Sequence, residues 1–293
     1  MIELLSLYAG AILAGMLCAT ALALLGCHLV SRDQSLQSLV VSQAATVGVL
    51  LGAVLAISRH SNVNASPMPL ITGIAAAAMA YLLGEKLTAT KRASKTGIYL
   101  ALFIMLLAMS YWLISYFPAL ESHMSQAFFG DIVTLSGYTL WFASAVSLLA
   151  LLSLLVWWKA LANHSFIVSV MGGDQVGNHA ALHWFSALTL LLISTSIYAM
   201  GLLFTIAFLL MPTVTFCYLK VPSVRMHLCL VSLTAAASFG AGFALSLYFD
   251  RISTVPTIVL TTGFFGVAVL YIANRLWRTT RVSADCSSGS LHR

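Results

Sequence analysis

The chain has 293 residues, of which 60% are AVILMFWYC and 8% are charged, with a formal net charge of +6. Soluble domains carry about 25% charged residues, so this composition excludes one and places the chain in a lipid bilayer. Backbone in a bilayer core must satisfy its own hydrogen bonds, and the apolar blocks run for about 20 residues, which selects an all-α polytopic helical bundle over a barrel.

The first apolar block, Leu4 to Val30, follows Met-Ile-Glu with no basic leader and no cleavage site, and reads as a spanning helix rather than a signal peptide. Breaks in hydropathy place spans at about 5–30, 36–58, 68–84, 97–117, 137–158, 184–199, 201–219, 227–248 and 256–274. That is eight or nine helices, the sixth and seventh being divided only by Met200 and Gly201. One transmembrane domain therefore covers 1–277, and 278–293, with its Arg, Ser and Gly, is expected to be a disordered tail. The five cysteines, at 18, 27, 217, 229 and 286, form no C-x-x-C pair and read as small buried thiols with one in the tail.

Lys and Arg are retained on the cytoplasmic side of bacterial membranes. With the N-terminus outside, 12 of the 14 basic residues fall on inner segments, and only Arg59 and Arg251 lie outside. The C-terminus is then cytoplasmic. The positive charge is accounted for by the inner membrane surface, without a nucleic-acid partner.

This topology puts Asn163 to His183 in the cytoplasm, between the fifth and sixth spans. The run "SFIVSVMGG" has the composition of a short surface helix ended by Gly172 and Gly173, either a docking element or a structural plug. In "HAALH", His179 and His183 share a helix face at i, i+4, yet Ala180 stands where a zincin-type hydrolase needs Glu, so protease chemistry is rejected. A regulatory metal site and a polar helix start both remain open there. Pro212 interrupts the seventh span, and either a moving kink or a packing distortion fits. Small residues around Ala241 and Gly242 suit close helix packing. The string "GEK" at Gly84 to Lys86 lacks the spacing of a phosphate-binding loop, so the chain is not read as an enzyme and binds no nucleotide cofactor itself.

Five segments in register, "LLGCHLVSRDQSLQSLVVSQAATVGVLLG", "AFFGDIVTLSG", "MGGDQVG", "MGLLFTIAFLLMPTVTF" and "FDRISTVPTIVL", make the chain resemble the membrane permeases of bacterial zinc and manganese ABC importers. Recurrent positions of that family fall on Gly130 and Asp131, Gly201 and Pro212, and Asp250 and Pro256. The resemblance implies a type II importer-like permease in the bacterial inner membrane. It also implies a second permease copy, two cytoplasmic ATPases that hold ATP and magnesium, and an extracytoplasmic substrate-binding protein. The segment at about 163–178 then occupies the place of the family's ATPase-coupling helix, with Val170, Met171, Gly172, Gly173, Asp174 and Gly177 as its contact residues.

The chain departs from the resemblance where a substrate would be held. Such permeases carry Gly-Asp-x-x-x-His at the start of the second span, offering oxygen and nitrogen to a divalent ion. Here the register gives Ser38, Leu39 and Gln43. Leu39, Gln43, Asp131, Gly201 and Pro212 are the expected pathway residues, and His28, His60, His123 and Asp250 are candidate entrance or exit ligands. The expected substrate is a divalent transition metal, zinc ahead of manganese or iron. A stand-alone secondary transporter is the rival reading, and it requires acidic residues in mid-span.

Overall fold

The structure, a computed structural model, describes residues 8–59, 66–89, 94–130, 132, 137–163, 179–219, 223–249 and 252–288, and their side chains except at 122, 179–182 and 273–288. The helices in chain order are α1 (Ala9–Ser31), α2 (Ser35–Ser58), α3 (Met68–Ala89), α4 (Lys95–Tyr116), α5 (Glu121–Phe129), α6 (Gly137–Val156), α7 (His179–Met200), α8 (Leu202–Tyr218), α9 (Val224–Tyr248) and α10 (Thr254–Ser288). No strand occurs among the described residues. Among the described residues eight helices are long and apolar enough to cross a membrane, and α8, with 17 residues, falls short of them. At 1.5 Å per residue α8 is about 25 Å long, against a hydrocarbon core of about 30 Å.

The helix ends follow the breaks in hydropathy closely, with two differences. The first is α5, a short helix entered through the 3-10 turn Pro118–Leu120, which lies in a segment that the sequence reading treats as a loop. Its sequence, ESHMSQAFF, mixes polar and apolar residues over nine positions and gives no spanning signal. The second is α10, which continues to Ser288 although a disordered tail was expected from 278. Between Gly266 and Gly289 the sequence holds neither Gly nor Pro to end the helix.

Helices α7 and α8 form a tight hairpin. Gly201 between them has φ +88°, a conformation that side chains with a Cβ rarely adopt. The Ser196 and Thr205 hydroxyls, nine residues apart, lie 2.8 Å from each other across the turn. A continuous helix would hold them about 13 Å apart at 1.5 Å per residue, so α8 must double back along α7.

The core is built around α1, which packs against α6, α8, α9 and α7. Gly26 lets α1 meet α8 backbone to backbone, since a Cβ there would overlap the Leu209 carbonyl. Phe204, Phe208 and Phe239 fill the adjoining space as one ring cluster, with centroids 4.6–6.3 Å apart. On the other side, α2 lies along α3 as the most extensive helix pair among the described residues. Its basis is Gly48-x-x-x-Gly52, where added Cβ atoms would strike the Thr72 carbonyl and the Pro69 backbone of α3. Lipid supplies no hydrophobic drive between helices, so such close approach and its dispersion contacts hold the pair together. Gly242 plays the same part against Ile258, joining α9 to α10.

Candidate functional site

The polar residues of α2 are turned inward. Ser38, Ser42, Gln43 and Thr46 are all buried. The three hydroxyls are spent on their own helix: Ser38 donates to the Ser35 carbonyl at 2.7 Å, Ser42 to Ser38 at 2.8 Å and Thr46 to Ser42 at 3.1 Å. Gln43 differs from them. Its Nε2 donates to Ser110 Oγ of α4 at 3.1 Å, while that hydroxyl gives its own proton to the Leu106 carbonyl at 3.1 Å. With its own proton on Leu106, Ser110 accepts from Gln43, and the amide then turns Oε1 away. Oε1 is buried and has no hydrogen-bond partner. An unpaired buried acceptor costs about 1–3 kcal/mol, so a group that binds it gains what the fold forgoes. Leu39, half-buried, lies one helical turn before Gln43 on the same face.

A second polar region lies where α1 ends and α2 begins. Phe185 of α7 packs against two groups one turn apart at the end of α1, with the Arg32 guanidinium 4.4 Å above its ring and the His28 ring edge-on at 6.1 Å. Arg32 sits just beyond the α1 span, and burial lowers its pKa to about 10, which leaves it charged near neutral pH. A cavity of about 20 Å³ beside it is lined by Gln34, Gln37, Ser38, Tyr81, Ser186 and Thr189, among others. That is room for about one water. Tyr81 and Ser186 close one wall through a 3.1 Å hydrogen bond.

At the opposite end, α5 meets the α7–α8 turn. Gly130, which caps α5 with φ +69°, lies so close to Met200 that a Cβ would overlap the Met200 carbonyl, and Gly201 approaches the Gly130 backbone in return. The two glycines named separately in the sequence thus form one clasp, and Asp131 follows it directly. His123 stands on α5, partly buried. Pro212 is buried inside α8 and removes the amide that the Phe208 carbonyl would accept. One residue on, Thr213 donates to the Ala23 carbonyl of α1 at 3.3 Å and lies 3.7 Å from Cys27 Sγ.

Of the sequence candidates, the structure places Leu39 and Gln43 together on α2 and brings Gly201 against Gly130. It sets His28 apart from that glycine pair, at the other end of α1 and α7. His60, Asp131 and Asp250 lie outside the described residues, as do Val170, Met171, Gly172, Gly173, Asp174 and Gly177. No group of three or more His, Cys, Asp and Glu side chains converges among the described residues. Sequence reasoning missed Ser110, which orients Gln43 from 67 positions away, and no local signal marks it. It also missed the glycine pair at 48 and 52, which is readable as a small-x-x-x-small motif.

A model of the ABC 3 transport family matches residues 5–273. Among curated proteins, the chain is 24% identical over 280 residues to the manganese transport system membrane protein MntC of Halalkalibacterium halodurans, covering 92% of this chain and 89% of that protein. It is 26% identical over 251 residues to the manganese import system permease protein ScaB of Streptococcus gordonii, covering 85% and 84%. The fold is similar to that of PsaBC from Streptococcus pneumoniae, solved in complex with Fab, with TM-score 0.73, 20% identity, and coverage of 91% of this chain and 93% of that one.

Proposed function

Since the chain is a multi-pass membrane protein that belongs to the ABC 3 transport family, we propose that it is the permease subunit of an ATP-driven importer whose substrate is a divalent transition metal ion, manganese first. The observation that carries the substrate reading is Gln43 Oε1, a buried carbonyl without a partner at the register position of the family's metal-facing histidine. An amide oxygen is a hard donor, of the kind that suits manganese, whereas imidazole suits zinc. Zinc stood ahead in the sequence reading; manganese now replaces it in first place, because both named relatives are manganese systems. Leu39 offers no ligand, so the site holds the ion through fewer protein donors than a carboxylate and histidine pair would give. An ion that must leave again is served by weak binding.

In this reading the chain pairs with a second permease copy and receives substrate from an extracytoplasmic binding protein. Two partner ATPases supply the ATP and magnesium chemistry, and the segment 163–178 docks on them. The N-terminus faces outward and the C-terminus the cytoplasm, as the distribution of Lys and Arg requires. The secondary-transporter alternative needs a buried carboxylate to carry protons or sodium. Among the described residues no Asp or Glu is buried.

The test is the manganese content of cells lacking the gene, grown with a chelator. Manganese should fall, and should recover with the wild-type gene but not with Gln43→Leu. Unchanged cellular manganese in the deletion strain would remove the proposal.

A further inference from the structure

A long groove opens on the flank of the bundle between α1, α6 and α9, away from Gln43. It has a volume of about 710 Å³, and its lining includes Thr20, Leu24, Leu154, Leu228, Leu233 and Ala236. Ligand pockets typically fall between about 300 and 1,000 Å³. From Arg225 to Ala236 along α9 the groove runs about 16 Å at 1.5 Å per residue, roughly half the thickness of the hydrocarbon core. The charged groups stand at one end, where Lys159 and Arg225 enter the lining together with His28; along the rest of it Thr20 and Ser232 spend their hydroxyls on carbonyls of their own helices. Arg225 is held in place, its guanidinium 4.9 Å from the centre of the Trp158 ring. Lys159 follows α6 and Arg225 opens α9, so chain topology puts both cations at one membrane surface whichever way the protein faces.

An apolar channel one leaflet deep, capped by two cations at the head-group level, is complementary in shape and charge to an anionic phospholipid. We propose that this groove is a binding site for one anionic phospholipid, with its phosphate between Lys159 and Arg225 and an acyl chain along Leu24, Leu154 and Leu233. The charge complementarity is what selects this occupant: a zwitterionic lipid brings a cation of its own beside its phosphate, which cancels much of the attraction to Lys159 and Arg225, and a second copy of this chain would bring its own Lys159 and Arg225 against them if the groove faced its like. Basic pockets between spanning helices bind acidic head groups in this way. The lining includes no residue of α2, where Gln43 lies, and the proposal holds whether or not the substrate is manganese.

The complete transporter, purified in mild detergent and incubated with equal amounts of phosphatidylglycerol and phosphatidylcholine, tests the proposal by counting lipids retained per subunit in a mass spectrometer. Two cations near the surface should favour phosphatidylglycerol roughly 30-fold. The double variant Lys159→Gln, Arg225→Gln should lose that preference. Cys229→Trp, which fills the exposed groove position at 229 without touching the charges, should lower retention of both lipids. Equal retention of the two lipids by the wild type, or an unchanged preference in the double variant, overturns the proposal. So does oxidative cross-linking of two copies in a variant that keeps Cys229 as its only cysteine, since that outcome gives the groove to a second chain.

Discussion

Helices α2 and α4 have the same mean hydropathy, 2.1 in their most apolar windows, yet 78% of that window is buried in α2 and 11% in α4. Mean hydropathy therefore reports that a helix is in the membrane and is silent about whether it faces lipid or protein. The distinction is carried by small and polar residues. α2 brings Ser38, Ser42, Gln43, Thr46, Gly48 and Gly52 to its neighbours, whereas α4 leaves Leu100, Ile104, Met105 and Trp112 exposed on the outside of the bundle and turns Ser110 inward where it meets Gln43. In a bilayer apolar surface is cheap to leave exposed, so close-packed glycines and hydrogen-bonded polar groups decide which helices lie inside.

Substitutions can break this contrast in graded steps. The largest effect is expected at the clasp that joins α5 to the α7–α8 turn. Gly201→Leu forces a Cβ into a left-handed conformation and against the Gly130 backbone, and should lower stability by about 3–5 kcal/mol, seen as loss of folded protein in detergent. Gly48→Leu follows, because its side chain would displace the Thr72 carbonyl of α3; a cost of about 3 kcal/mol is expected, read from thermal unfolding. Gln43→Leu sharpens the comparison differently. It deletes an amide whose carbonyl is already unpaired and leaves Ser110 bonded to Leu106, so stability should stay within about 1 kcal/mol while metal uptake is lost. Ile104→Ala, on the exposed face of α4 with 58% of its surface free, should change stability by no more than about 0.5 kcal/mol and leave uptake intact. If Ile104→Ala proved as costly as Gly48→Leu, the contrast between a packed α2 and an exposed face of α4 would fail.

Much of this architecture is legible in the sequence because bilayer physics imposes a simple code. Runs of about 20 apolar residues give the spans, and Gly201 marks the turn between α7 and α8 because the chain has one residue in which to reverse. α5 escaped because nine residues of mixed polarity carry neither a spanning signal nor enough turns for a clear period. The polar face of α2 was legible in part. Leu39 and Gln43 are marked by register, but the state of the Gln43 amide depends on Ser110, a partner from another helix that no local pattern announces. The Gly130–Gly201 contact is of the same kind: each glycine stands out alone, and only folding shows that they serve one junction.

The central claim is tested most directly in vesicles. The chain, assembled in proteoliposomes with the ATPase and binding protein that the proposed function calls for, should accumulate manganese only when ATP is supplied, and should stop doing so when Gln43 is replaced by Leu in an assembly that still hydrolyses ATP. Uptake driven by an ion gradient in the absence of any ATPase, or manganese accumulation unaffected by the loss of Gln43, would contradict the account.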